Sequence, residues 1–152
     1  MRLTLDALRS LLLSECMSQR ILDPVTQVEL IVPDGISRDD AIEHARLRRA
    51  GKLRRLRLFP DWGHDYSLWG DGGAMSPEHF GISDGLAERL REWTAFWAAR
   101  ADPFEPWTDL ETLHAWWREG LSLATDLQRE LYKTTVVIPE FGPHPEQGWE
   151  YS

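Results

Sequence analysis

The chain has 152 residues, with 17 Lys+Arg against 25 Asp+Glu, a net charge of −8 and a pI near 5.1. At 42% hydrophobic and 28% charged, it has a globular composition and the length of one domain that buries its own core. A single Cys excludes a disulfide framework and a multi-Cys zinc site, and eight Trp is the one unusual count.

Met1 to Leu13 has the length of a secretory leader, but Asp6 and Arg9 interrupt the apolar run such a leader needs. Leu5, Leu8, Leu12 and Cys16 instead recur at the spacing of one helix face, with Thr4 as the cap. Cys16 is expected as a buried thiol. No segment approaches the roughly 18 apolar residues of a membrane span, so a cytoplasmic protein is expected.

After a turn at Leu22-Asp23-Pro24-Val25, the alternation of Val28, Leu30 and Val32 predicts a strand over 25–32 that stops at Pro33-Asp34-Gly35. Ser37 and Asp40 form a capping pattern for a helix from Arg38 to about Ala50, which Gly51 closes. Leu53 to Phe59 reads as a second strand, with Leu56 and Leu58 on one face and Arg55 and Arg57 on the other. If the strands on either side of the helix are parallel, their crossover is right-handed.

Residues 60–83 hold five Gly and two Pro, too many for a helix or a central strand, yet they carry several aromatics. A long loop with its own apolar side chains is tightly packed or functional. Ser83 then caps a helix with Leu86, Leu90, Trp93 and Trp97 on one face, ended by Asp102-Pro103. Thr108 and Glu111 form a capping box for a last helix. Its stripe is Leu110, Leu113, Trp117, Leu121, Ala124, Leu127 and Leu131. Gly120 within it predicts close approach of a neighbour. Thr134 to Ile138 is a β-branched strand, and residues 139–152 read as a tail.

The expected fold is α/β or α+β: a single compact domain with about four helices packed on a small three-stranded sheet. Residues 1–55 form an α-β-α segment, 56–138 a strand-loop-helix-helix-strand core, and 139–152 the tail. Oligomeric state is not legible.

Charge is unevenly spread. Residues 1–57 carry 11 basic and 8 acidic residues, while 58–152 carry 6 and 17, so the two parts are +3 and −11. Arg46, Arg48, Arg49, Lys52, Arg54, Arg55 and Arg57 put seven cations in twelve positions. This run is either a docking patch, centred on Arg46, Arg49, Arg54, Arg55 and Arg57, or the cationic end of a helix. The latter is favoured, because the helix dipole favours cations there and acids elsewhere in the chain can pair with them. The overall acidity argues against nucleic acid as the ligand.

The chain lacks the P-loop, dinucleotide-binding, nucleophile-elbow and zinc-protease signatures. No catalytic residue, metal or cofactor is therefore assigned. The densest polar set is Asp61, His64, Asp65, Asp71, Glu78 and His79. Asp61, His64, Asp65 and His79 suggest a small hydrolase or metal-dependent enzyme as one alternative. The favoured reading makes Asp61, Asp71 and Ser76 local turn formers, with Trp62, Tyr66, Leu68 and Trp69 anchoring the loop.

Leu58-Phe-Pro-Asp-Trp-Gly-His-Asp-Tyr-Ser-Leu-Trp69, Leu86-Ala-Glu-Arg-Leu-Arg-Glu-Trp93 and the helix from Trp117 to Leu131 together resemble an uncharacterised family of small actinobacterial-type proteins. That family has a "DW…LW" loop followed by an "LxxRLxxW" helix. The similarity covers residues 56–138; the first 55 residues are an addition to it. Tyr66-Ser-Leu-Trp69 departs slightly from the Trp-Pro-Leu-Trp frequent in the family. The resemblance implies a compact helix-and-strand fold and a bacterial cytoplasm, and it supplies no catalytic residue.

Acidity, loop tryptophans and missing catalytic motifs together point to a non-enzymatic acidic protein-binding module, an immunity-type or regulatory inhibitor of a basic partner. Its candidate binding residues are Asp61, Trp62, His64, Asp65, Trp69, Asp71 and Glu78. A further alternative is a subunit of a larger phage or host assembly that docks through Arg46 to Arg57.

Overall fold

A computed structural model describes residues 18–142. The helix expected around Leu5 to Cys16, and His144 and Trp149 of the tail, lie outside the described residues.

The chain begins with a hairpin of β1 (Gln19–Leu22) and β2 (Glu29–Val32), paired antiparallel from Gln19↔Val32 to Leu22↔Glu29. The first strand is unanticipated, and the strand expected over 25–32 is shorter. The cause is Asp23, whose carboxylate accepts the Val25 N–H at 2.8 Å while its own N–H bonds Val28 O at 2.9 Å. A carboxylate that captures a backbone N–H two residues on makes a turn, and this one holds residues 23–28 out of the ladder. α1 (Arg38–Arg49) starts as its sequence predicts, with Ser37 Oγ accepting the Asp40 N–H at 3.1 Å. It ends at Gly51 (φ +67°), where the Lys52 N–H reaches back to Leu47 O and the Gly51 N–H to Arg48 O.

A second, four-stranded sheet has the order β5-β4-β3-β6. β3 (Arg54–Leu58) lies between β4 (Leu68–Gly70), antiparallel with Leu58↔Leu68, and β6 (Thr135–Pro139), parallel with Arg54↔Thr135 through Leu58↔Pro139. β5 (Gly73–Ala74) closes a two-residue turn onto β4. Because β2 and β3 belong to different sheets, α1 is not a crossover between parallel partners. The loop expected over 60–83 in fact contains an interior strand, β4, an edge strand, β5, and a 3₁₀ turn at Pro77–His79.

α2 (Asp84–Arg100) and α3 (Leu110–Leu131) cover one face of this sheet. Leu56, Leu58 and Leu68 meet Leu86, Leu90 and Trp93 of α2 and Leu113, Trp116, Leu123, Ala124, Leu127 and Leu131 of α3. The buried stripe of α3 is rotated from the expected one: Trp116 and Leu123 are buried, Trp117 and Leu121 half-buried, and Leu110 exposed. Gly120 sets the rotation. A Cβ there would stand 2.7 Å from Trp93 Cζ2 and 2.9 Å from Phe141 Cζ, so the glycine must face α2. The α3 cap also differs, since Asp109 rather than Thr108 accepts from Thr112 N.

Residues 139–142 are not tail: Pro139 ends β6, and Phe141 is buried edge-on against Trp93 and Trp116. The result is a mixed α/β single domain. It has three α-helices and two sheets, of two and four strands, among the described residues, rather than about four helices on three strands. No helix among them is long and apolar enough to cross a membrane.

Candidate protein-binding surface

The segment after β3 is bolted down from both sides. Trp69 stacks on Phe59 at 4.7 Å and 6°, its indole N–H donates to Phe59 O at 2.9 Å, and His64 meets its ring edge-on at 4.5 Å. Ser67, with φ +58°, is buried, and its hydroxyl lies 2.6 Å from that of Thr94 on α2. Leu68 is buried in the core. Tyr66 is half-buried against the core, so it anchors the loop together with Leu68 and Trp69, as the sequence suggests.

Trp62 is placed differently. It is 51% exposed and leans on Trp97 of α2, ring centres 4.7 Å apart at 47°. Asp61 accepts the Trp62 N–H at 2.8 Å, and Asp65 is exposed. Between Arg57 and Arg89 the chain has six carboxylates and no Lys or Arg. An indole held half out of the surface, inside a stretch of one sign, suits burial by a partner of opposite sign.

The other predicted residues are elsewhere. In the antiparallel register of β3 and β4, the 60–67 loop leaves the Leu58 end while Asp71 lies at the opposite end. There Asp71 lines one depression with Arg54 and Arg55. Glu78 and His79 belong to the 3₁₀ turn: His79 Nδ1 accepts the Ser76 N–H at 3.2 Å, and Arg54 donates to His79 O at 2.9 Å. Glu78 is held below the usual carboxylate range by its own backbone N–H, then by the Ser76 hydroxyl and His79. Asp61, His64, Asp65 and His79 are not gathered. Among the described residues no three His, Cys, Asp or Glu converge as a metal site.

The basic run is partly spent internally. Arg46 pairs with Glu43 at 2.6 Å, Arg49 with Asp23 at 2.5 Å and Arg57 with Glu140 at 3.6 Å, while Arg54 covers the Phe80 ring at 4.1 Å. The hydrogen bond from Arg46 is the main cause of the lowered Glu43 pKa. Arg55 forms no ion pair with another described residue.

Sequence reasoning missed a cleft between α2 and α3. It holds about 300 Å³ and is lined by Arg89, Glu92, Trp93, Phe96, Ala115, Trp116 and Glu119. The signal was Gly120 beside Trp116 on a helix that faces another helix rich in Trp.

No curated protein matches the chain. The sequence model described as "Serratia CdiI immunity protein-like" matches residues 54–139, from the first residue of β3 to the last of β6. That interval is more than half of the chain and contains the whole four-stranded sheet with both covering helices, so the protein belongs to the Serratia CdiI immunity protein-like family.

Proposed function

We propose that the protein is a non-enzymatic immunity-type inhibitor that binds one basic protein partner in the cytoplasm and neutralises it. The observation that carries this reading is Trp62, half-exposed and propped on Trp97 in a segment with carboxylates and no cations. Family membership supports a protein as the ligand. Opposite potentials speed encounter and select the partner, and the indole supplies apolar area that is already positioned. Asp61 and Asp65 flank it and meet the partner's cations. Trp69 plays a different part. It holds the loop through Phe59, so its loss loosens the surface that Trp62 presents. The actinobacterial-type resemblance of residues 56–138 belongs to the same reading, in which such a partner acts in a bacterial cell.

Titration calorimetry tests it, with the purified chain against the protein encoded beside it in the native host. A complex near 1:1 is expected, weakened by salt and weakened about tenfold or more by Trp62→Ala, with Asp61→Lys/Asp65→Lys acting in the same direction. Absence of a complex at any salt, or a Trp62→Ala variant that binds unchanged, overturns the proposal.

A further inference from the structure

The cleft between α2 and α3 has an unusual floor. Trp93 and Trp116 stack at 4.5 Å and 3°, and each indole N–H donates to the other's backbone carbonyl, at 2.9 and 3.1 Å. The reciprocal bonds fix both rings and use up their only donors, so the small part of the two indoles that reaches the cleft (3% and 5% exposed) offers an entering group apolar ring surface and no donor. Phe96 forms one wall, and the Arg100 guanidinium already lies 3.4 Å over its ring. The chain itself thus shows a cation seated on this aromatic cluster.

The rim is acidic from both sides, with Glu92 on α2 and Glu119 on α3. Arg89 is the one cation lining the cleft, and it is committed: it donates to Asp126 at 2.7 Å and to Glu119 at 3.1 Å. Glu92 forms no ion pair with another described residue. An anion entering here meets like charge. A purely apolar group covers the floor but strips water from the carboxylates without replacing it. A long aliphatic stem with a cationic head satisfies both parts, and a cleft of about 300 Å³ has room for one such side chain.

We infer that the cleft between α2 and α3 receives a basic side chain of the protein partner, arginine for preference, with its stem over Trp93 and Trp116 and its head between Glu92 and Glu119. Arginine is favoured over lysine because a planar guanidinium can stack on the rings and fork to a carboxylate at once. The inference rests on the basic-partner reading and adds a second anchor to it. Phe96 adjoins Trp97, the residue under Trp62, on the same helix.

The test uses the full chain, 15N-labelled, with a tetra-arginine peptide and its citrulline counterpart, which keeps the shape and loses the charge. The arginine peptide should shift the indole N–H signals of Trp93 and Trp116, and the citrulline peptide should not. Glu92→Lys should weaken the effect about tenfold, and Ala115→Arg, which adds a cation at an exposed rim position, should abolish it. Shifts confined to residues 61–71, equal shifts from both peptides, or no shifts at all overturn the cleft. The two readings fail separately. A natural complex that forms normally with Glu92→Lys and Ala115→Arg removes the cleft and keeps the inhibitor. Indole shifts that follow charge, with no natural complex, keep the cleft's chemistry and remove the inhibitor.

Discussion

Residues 54–139, the interval matched by the family, and residues 19–49 ahead of it bury their apolar side chains very differently. In the first, Leu56, Leu58, Leu90, Leu123 and Leu127 are wholly buried among aromatic neighbours. In the second, Val32 and Ala41 are the buried hydrophobics, while Leu22, Val25, Val28 and Ile31 are 59–76% exposed. A two-stranded hairpin is marginal by itself. Here it leans on α1, and α1 reaches the larger unit at His44, whose Nδ1–H donates to Tyr132 O at 2.6 Å and whose ring stacks on Tyr132 at 4.2 Å. The burial that pushes the Tyr132 phenol up from its ordinary pKa belongs to this joint. One unit is held by packing and the other by a few polar points, so local stability should be uneven along the chain.

The largest effect on that contrast is expected from Leu127→Ala. Leu127 is fully buried on α3 against the sheet, and truncation of such a residue costs about 2–5 kcal/mol. At roughly 2–4 °C per kcal/mol for a domain of this size, the calorimetric melting temperature should fall visibly as one cooperative transition. A loss under about 1 kcal/mol would mean that the interval is not a tightly packed unit.

Gly120→Ala is the next in size and probes the contact between the two helices. Alanine gains about 1 kcal/mol of helix propensity, and overpacking costs about 1–3 kcal/mol. The new Cβ meets ring atoms of Trp93 and Phe141 under 3.0 Å, and Trp93 is pinned by its bond to Trp116 O, so the cost should win. We expect a net loss of up to about 2 kcal/mol and a changed near-ultraviolet signal from the Trp93–Trp116 stack. A gain in stability would show that the rings give way.

These two residues also mark what the sequence makes legible. Leu127 is on the stripe that spacing alone identifies, because helix period and burial agree there. Gly120 is legible as a point of close approach. Yet its consequence, a buried face turned toward Trp116 and Leu123, depends on where α2 lies. Ser37, Gly51 and the Leu56/Leu58 alternation are local signals, and the structure follows them. β1 and β4 were illegible for opposite reasons. Gln19-Arg-Ile-Leu22 has no clear alternation, and its partner is fixed by the Asp23 turn. Leu68-Trp-Gly70 sits in a Gly-rich stretch, and its strand is too short for alternation to show, although the Asp71-Gly72 pair beside it is a hairpin signal. Around the candidate surface, sequence identified the acidic aromatic segment. It did not separate Trp62 from Trp69, because whether an indole faces Phe59 or solvent is a tertiary matter.

The smallest effect on global stability, and the sharpest on the comparison, is expected at Asp23. This buried carboxylate accepts the Val25 N–H and pairs with Arg49, joining the hairpin turn to the last turn of α1. Its pKa is lowered, first by the backbone N–H of Val25 and then by Arg49. A carboxylate with a lower pKa when folded adds stability above the ordinary aspartate range and loses it as pH falls through the lowered value. Asp23→Asn keeps an oxygen for the Val25 N–H and removes the charge facing Arg49, whereas Asp23→Ala removes both. Hydrogen exchange, corrected for intrinsic rates, should show β1 and β2 amides less protected in the order wild type, Asn, Ala at neutral pH. The core melting transition should stay where it was. Once pH has fallen through that lowered value the wild-type hairpin should converge on the Asn variant, since both then lack the charge. If core and hairpin amides lost protection together in either variant, the two units would be one cooperative structure and the polar joint would carry more than its few contacts imply.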